Sequence, residues 1–495
     1  MTEPGAGPLA PAEQSVVDTI HKGLFLAGAW VEASGGATLS VEDPATGLVI
    51  AEVADATPTD GARALDAAVA TQADWAVTPP RSRGEILRAA YEAMVGKADE
   101  LALLMTLEMG KPLSESRSEV LYAAEFFRWF SEEAVRIAGS WAIAPDGQTR
   151  LWTMKQPVGP CLFITPWNFP LAMGTRKIGP AVAAGCTMIV KPASQTPLSM
   201  LALAQILADA GLPDGVLSVL PTSSPQQLTT PLIADPRLRK LSFTGSTAVG
   251  KKLVEQAAHQ LLRVSVELGG NAPFIVFDDA DLDHALDEAM KAKLRNNGEA
   301  CTAANRFYVQ QSVARPFADR LAERFAALVV GRGADESVHL GPLIDRNAVA
   351  KVANLVDTAI RDGARLLHGG ASPSQPGYFY QPTVLADVPP DSTLLREEIF
   401  GPVAPISTFD TDEEVTATVN SSEYGLAAYL FTRSLDRAVR ISERLEVGMI
   451  GLNRGVLSNA AAPFGGVKAS GYGREGGRVG IEEYLETKYV AVHIS

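Results

Sequence analysis

Cysteine is scarce in this chain: there are three among 495 residues, Cys161, Cys186 and Cys301. Three thiols make no disulfide framework. No C-x-x-C or H-E-x-x-H pattern gathers them, or the six scattered histidines, into a metal-ligating group, so no metal site is expected. Positive charge is also in deficit. A net charge of −14 speaks against a nucleic-acid or anionic-membrane partner, since either favours a basic surface. An anionic small substrate remains open, because a few local arginines outweigh the global field inside a cleft. No stretch approaches the ~18 apolar residues of a membrane span. The segment Met1 to Glu13 is rich in Pro, Gly and Ala, with no basic region ahead of an apolar run. It reads as a mobile tail, not a signal peptide. The expected location is the cytoplasm, where thiols stay reduced. Internal repeats and low-complexity tracts are missing as well, and the glycines at 245–250 are spaced G-x-x-x-x-G, not as the G-x-G-x-x-G dinucleotide fingerprint.

What is present suits a soluble globular protein, with 46% apolar and 20% charged residues. The length suits two or three domains. Residues 24–53 look β-rich, punctuated by Gly28 and the turn Asp43-Pro44-Ala45-Thr46-Gly47. From Thr59 to Trp129 the pattern is helical: Leu87, Ala90, Tyr91 and Met94 recur at three- to four-residue spacing, and Val120 to Phe130 repeats the theme. Residues 140–158 read as a protruding hairpin. Short apolar strands then alternate with helices. The strands are Cys161–Ile164, Thr187–Val190, Val216–Leu220, Lys240–Phe243 and Val264–Val266; the helices are Leu198–Ala210 and Ala248–Leu261. Such alternation predicts a parallel, doubly wound α/β sheet. A second α/β unit follows, with strands at Phe274–Phe277, Phe307–Gln310, near Leu366 and at Tyr429–Phe431. Its helices are Leu282–Leu294, 313–329 and 347–363. The extended end, Glu483 to Ile494, is the kind of strand that often pairs with another subunit.

Several segments carry possible chemistry. Phe243-Thr244-Gly245-Ser246-Thr247-Ala248-Val249-Gly250 follows a strand and opens a helix, where backbone N–H groups can meet a phosphate. It nearly matches a Walker A loop, but Lys252 stands where Ser or Thr would hold Mg²⁺. A plain strand–helix turn explains it equally well. Lys191-Pro192-Ala193-Ser194 ends a strand at the place where α/β sheets bind nucleotides, although a lysine in such a loop is more often a surface residue. Pro166-Trp167-Asn168-Phe169-Pro170 is a rigid loop whose Asn168 is either a turn residue or an amide donor to a developing oxyanion. Cys301 is a buried thiol or a nucleophile in need of a base. Glu267 is a paired carboxylate or that base.

Taken together these motifs resemble the aldehyde dehydrogenase superfamily, from about Leu24 to Val492. The order is P-W-N-F-P at 166–170, K-P-A-S at 191–194, F-T-G-S at 243–246 and E-L-G-G at 267–270. G-E-A-C at 298–301, E-E-I-F-G-P at 397–402 and P-F-G-G-V-K at 463–468 follow. The resemblance implies a Rossmann-type cofactor domain (14–139 and 159–268) and an α/β catalytic domain (269–464). A β oligomerisation arm (140–158 and 480–495) completes it, with assembly into a homodimer or homotetramer. It implies Cys301 as nucleophile, Glu267 as general base and Asn168 as oxyanion donor. Trp167, Lys191, Ser194, Gly245, Ser246, Glu398 and Phe400 would meet the cofactor.

Within the superfamily the likeness is to succinate-semialdehyde dehydrogenases, which hold the substrate carboxylate with two arginines and a serine. The matching positions are Arg176, Arg295 and Ser458, and guanidinium groups suit a carboxylate because they bind it as a charged fork. The expected reaction is oxidation of succinate semialdehyde to succinate; glutarate semialdehyde or another ω-carboxy aldehyde is the alternative. Members preferring NAD often carry Glu where Ser194 stands. Ser194 spares the 2′-phosphate of NADP that repulsion, and Lys191 adds positive charge, so NADP is expected to be preferred with NAD also used. Ala303 occupies a position where some relatives have a second cysteine, so no disulfide beside Cys301 is expected. Glu299 has no assigned role.

Overall fold

A computed structural model describes residues 9–493. Two large sheets organise the chain. The first has eight strands in the order Ala29–Val31, Leu24–Leu26, Leu217–Val219, Met188–Lys191, Cys161–Ile164, Lys240–Thr244, Arg263–Glu267 and Gly471–Tyr472. Its five central strands are parallel and both ends are antiparallel. Cys161 to Ile164 and Met188 to Lys191 are buried throughout, as continuous apolar runs require when helices cover both faces. The second sheet has seven strands in the order Arg365–His368, Thr383–Ala386, Val403–Phe409, Ala304–Gln310, Ala272–Val276, Ala427–Phe431 and Met449–Leu452. All its pairs are parallel except the first. The expected α/β architecture is the one observed.

The helical region after residue 57 is four helices: Pro58–Val77, Pro80–Gly96, Ala98–Met109 and Leu113–Glu133. Leu87, Ala90 and Met94, spaced for one helical face, are all fully buried. Ser140–Ile143, Thr149–Pro157 and Leu485–His493 form a separate three-stranded antiparallel sheet. The final strand therefore pairs within its own chain, along Thr149–Pro157. This sheet exposes Trp141, Ile143, Trp152 and Tyr489.

The expected tail requires correction over its second half. Pro11–Asp18 is a helix, and Glu13 is buried against Arg332 at 2.7 Å. Residues 1–8 of that tail, and Ile494 of the terminal strand, lie outside the described residues. No helix among the described residues is long and apolar enough to cross a membrane.

Candidate active site

The register of the first sheet sets out the site. Ile164 lies beside Lys191, and Thr244 beside Glu267. The strands that precede P-W-N-F-P, K-P-A-S, F-T-G-S and E-L-G-G thus end along one edge, where parallel α/β sheets bind ligands. Five residues after Glu267 the chain enters the second sheet at Ala272, whose neighbour across the ladder is Ala304. Cys301 sits three residues before Ala304, at the seam between the sheets. A Cβ on Gly270 would come within 2.4 Å of the Cys301 carbonyl oxygen, so only glycine allows this crossing.

The turn into Cys301 is tight. Asn296, Asn297 and Gly298 have φ of 55°, 57° and 80°, a left-handed run that asparagine and glycine tolerate best. A Cβ on Gly298 would meet the Gly401 carbonyl oxygen at 2.4 Å. Glu299 gains a structural account. Its buried carboxyl accepts from the Ile344 N–H at 3.1 Å, and its carbonyl accepts from Asn168 Nδ2 (2.9 Å) and Asn296 Nδ2 (3.0 Å). Burial pushes the Glu299 carboxyl well above the usual range. Glu299 thereby links the P-W-N-F-P loop to the thiol's turn.

A cleft of about 970 Å³, counted to its mouth, lies at the seam. Trp167, Asn168, Gly245, Ser246, Glu267, Cys301, Glu398 and Phe400 all line it. Asn168 spends one amide hydrogen on Glu299, leaving the other available. The Cys301 N–H makes no hydrogen bond among the described residues. Both Glu267 carboxylate oxygens are buried without a hydrogen-bond partner. Burial, and then the nearby Glu475, push Glu267 well above the ordinary carboxylate range. Burial works against charge on Glu475 too, but Lys177 and Arg176 outweigh it and hold that carboxyl below its usual value. The two carboxyls are thus pushed in opposite directions, the kind of division that acid–base sites exploit. Burial also pushes the Cys301 thiol up to about 12, with Arg176 and Arg295 pulling the other way.

The remaining expected residues fall into two groups. Lys191 and Ser194 stand beyond the cleft lining, at the end of Met188–Lys191. Burial lowers Lys191 to about 8, so it stays largely charged at neutral pH. Ser194 Oγ donates to Gln195 Oε1 at 3.3 Å. Arg176 and Arg295 act on the thiol by their charge. Arg295 Nη1 donates to Ser458 Oγ at 2.7 Å, joining segments 163 residues apart. Arg176 differs. It is buried, 2.7 Å from Glu475 and 3.9 Å from the centre of the Phe464 ring, so its charge is already met within the chain.

Two residues escaped the sequence reading. Lys111 Nζ donates to the Asn168 carbonyl at 2.8 Å and to the buried Glu119. Glu119 Oε1 accepts from the Leu171 and Ala172 N–H groups at 3.0 and 3.2 Å. This buried pair clamps both sides of the Asn168 loop. No motif marks it.

The whole-chain comparisons agree with this geometry. The aldehyde dehydrogenase family model matches residues 30–490. The chain belongs to the aldehyde dehydrogenase family. A succinate-semialdehyde dehydrogenase of Paenarthrobacter nicotinovorans is 56% identical over 444 residues, covering 90% of this chain and 99% of that protein. A glutarate-semialdehyde dehydrogenase of Pseudomonas putida is 48% identical over 470 residues, covering 95% and 97%. The crystal structure of an Escherichia coli NADP-dependent enzyme superposes with a TM-score of 0.95 at 47% identity, covering 96% of this chain and 99% of that one.

The cleft of this aldehyde dehydrogenase fits a nicotinamide dinucleotide. Gly245 and Ser246 precede the twelve-residue helix Thr247–Ala258, whose N-terminus favours a diphosphate. A Cβ on Gly245 would stand 2.5 Å from the Phe243 ring. Glu398 accepts from Gly270 N–H at 3.0 Å through one oxygen. Phe400 holds a left-handed φ of 56° and packs edge-on against Trp167 at 5.5 Å. Strain of this kind collects at functional sites. Lys251, the lysine of the near-Walker sequence, is exposed and lies 3.9 Å from Glu423.

Proposed function

We propose that this aldehyde dehydrogenase oxidises succinate semialdehyde to succinate, with NADP preferred and NAD also used. The observation that carries the reading is a shared site for four separate segments. Cys301, Glu267 and Asn168 line one cleft, and Arg295, bonded to Ser458, is near enough to act on the thiol by its charge. The names of the Paenarthrobacter and Escherichia coli relatives support substrate and cofactor respectively.

Cys301 gives up its thiol proton to water in the cleft and attacks the aldehyde carbon as the thiolate. A carbon–sulfur bond forms and the carbonyl π electrons move to oxygen. The free Asn168 amide hydrogen and the Cys301 N–H receive that charge, each contact worth ~3 kcal/mol. A bound nicotinamide dinucleotide supplies the acceptor for the aldehydic hydrogen and its electron pair. Cys301 is left holding a thioester. Glu267, once deprotonated, takes a proton from the attacking water, and the thiol departs as the acid is released. The pocket carboxyl Glu398 would orient the nicotinamide ribose, Phe400 and Trp167 its ring, and Gly245 and Ser246 the diphosphate. Lys191 and Ser194 would meet the adenosine end, Ser194 standing where a glutamate would repel a 2′-phosphate.

Arg295 and Ser458 would hold the distal carboxylate, with Arg176 adding field more than contact. One methylene is worth only ~1–3 kcal/mol of discrimination. The glutarate homologue is therefore the second reading, supported by the Pseudomonas relative. The exposed aromatic residues of the three-stranded sheet support assembly into a homodimer or homotetramer; the proposed location is the cytoplasm. The test is kcat/KM for succinate semialdehyde, glutarate semialdehyde and butanal in wild type, Arg295→Ala and Ser458→Ala. Selective loss of the acid aldehydes, about tenfold or more for Arg295→Ala, is the expected result. Equal losses on butanal sink the anion pocket.

A further inference from the structure

Tyr122 sits on the helix Leu113–Glu133 and has no part in the site as read so far. Its ring packs edge-on against Phe126 at 5.0 Å. The Arg295 guanidinium lies 5.9 Å from the Tyr122 ring centre and 5.0 Å from that of Phe169. The Tyr122 hydroxyl is closed off from solvent and has no well-formed hydrogen bond; Ser458 is its neighbouring side-chain partner, and the Arg176 and Arg295 charges act on it. A buried hydroxyl without a well-formed hydrogen bond carries a cost of about 1–3 kcal/mol. Phenylalanine would fill the same space without it. Such a group calls for a reason outside the folded chain.

The neighbours supply one. Arg176 is answered by Glu475, but Arg295 has only the neutral Ser458 Oγ as its polar contact among the described residues. A cation backed by two hydroxyls and no carboxylate is arranged for an anion that arrives with a ligand. A carboxylate has about four acceptor positions. The Arg295 fork fills two, the Ser458 O–H a third, and one is left.

We infer that Tyr122 is a specificity-determining residue, its hydroxyl donating to the distal carboxylate of the aldehyde alongside Arg295 and Ser458. This rests on the ω-carboxy aldehyde reading above. An uncharged aldehyde brings no acceptor to this point, so Tyr122 acts on the choice between acid and neutral substrates.

The test compares Tyr122→Phe with wild type and Arg295→Ala at saturating NADP. It reads kcat and KM for succinate semialdehyde and for butanal, and competitive inhibition by succinate. The variant keeps the ring and its packing. The ratio of kcat/KM for succinate semialdehyde over butanal should fall about tenfold or more, carried mainly by KM. Succinate should inhibit correspondingly less well. An unchanged ratio in Tyr122→Phe, while Arg295→Ala lowers it, overturns the assignment of Tyr122 and leaves the substrate reading standing. A wild type that does not favour succinate semialdehyde, with a ratio indifferent to Arg295→Ala, overturns both.

Discussion

Replacing Lys111 by methionine would remove the cation that anchors the Asn168 loop while keeping most of the side-chain volume. Lys111 and Glu119 are each 1% exposed. Lys111 Nζ also donates to the Asn168 carbonyl at 2.8 Å and stands 4.4 Å from the centre of the Phe169 ring. The variant leaves the Glu119 charge buried without its counter-ion. Breaking a buried pair from one side costs about 3–5 kcal/mol, a large part of the ~5–15 kcal/mol that holds a typical domain folded. The second substitution distinguishes this from simple packing loss. Glu119 receives the Leu171 and Ala172 N–H groups on the same oxygen, Oε1, and Lys111 on the other. Glutamine at 119 keeps that acceptor and loses the stranded charge, with an amide free to donate to the Asn168 carbonyl. Lys111→Met/Glu119→Gln should therefore recover at least half of the lost stability. Urea unfolding followed by fluorescence measures both variants, and kcat reads the loop. A misplacement of Asn168 by 1 Å would cost about a hundredfold in rate. A loss below about 1 kcal/mol in Lys111→Met, or a double variant no better than the single, refutes the clamp.

Two further outcomes follow from the site. With Cys301 pushed up to about 12 by burial, the thiol is protonated at neutral pH. Its alkylation by iodoacetamide in the cofactor-free enzyme should rise about tenfold per pH unit through pH 9, and a plateau between about pH 6 and 8 contradicts this. Ser194→Glu would place a carboxylate against a 2′-phosphate and should swing the ratio of kcat/KM for NADP over NAD toward NAD about tenfold or more; wild type favouring NAD more than tenfold defeats the premise.

The α/β alternation was legible because strands such as Cys161–Ile164 are short apolar runs bounded by turns, and helices such as Leu282–Leu294 have one wet face. The helix Ala172–Ala184 was not. All thirteen of its residues are buried, including Arg176 and Lys177, and it contains Pro180. With no polar face there is no period to detect. Pro11–Asp18 was missed because its anchor, Arg332, is 319 residues from Glu13. The cleft residues came from motif order, as a resemblance. Lys111 and Glu119 act on Asn168 through a backbone carbonyl and two N–H groups, which leave no residue pattern. The Glu475 pairing of Arg176 is equally silent, since it joins a helix to a turn near the C-terminus.

The proposed chemistry passes through a thioester on Cys301 that Glu267 helps to hydrolyse. Glu267→Gln removes the base and keeps the shape. That variant, mixed with succinate semialdehyde and NADP, quenched in acid and digested, should carry a succinyl group on the Cys301 peptide, with little in wild type. A variant that releases succinate without any adduct on Cys301, or carries the adduct elsewhere, contradicts the account.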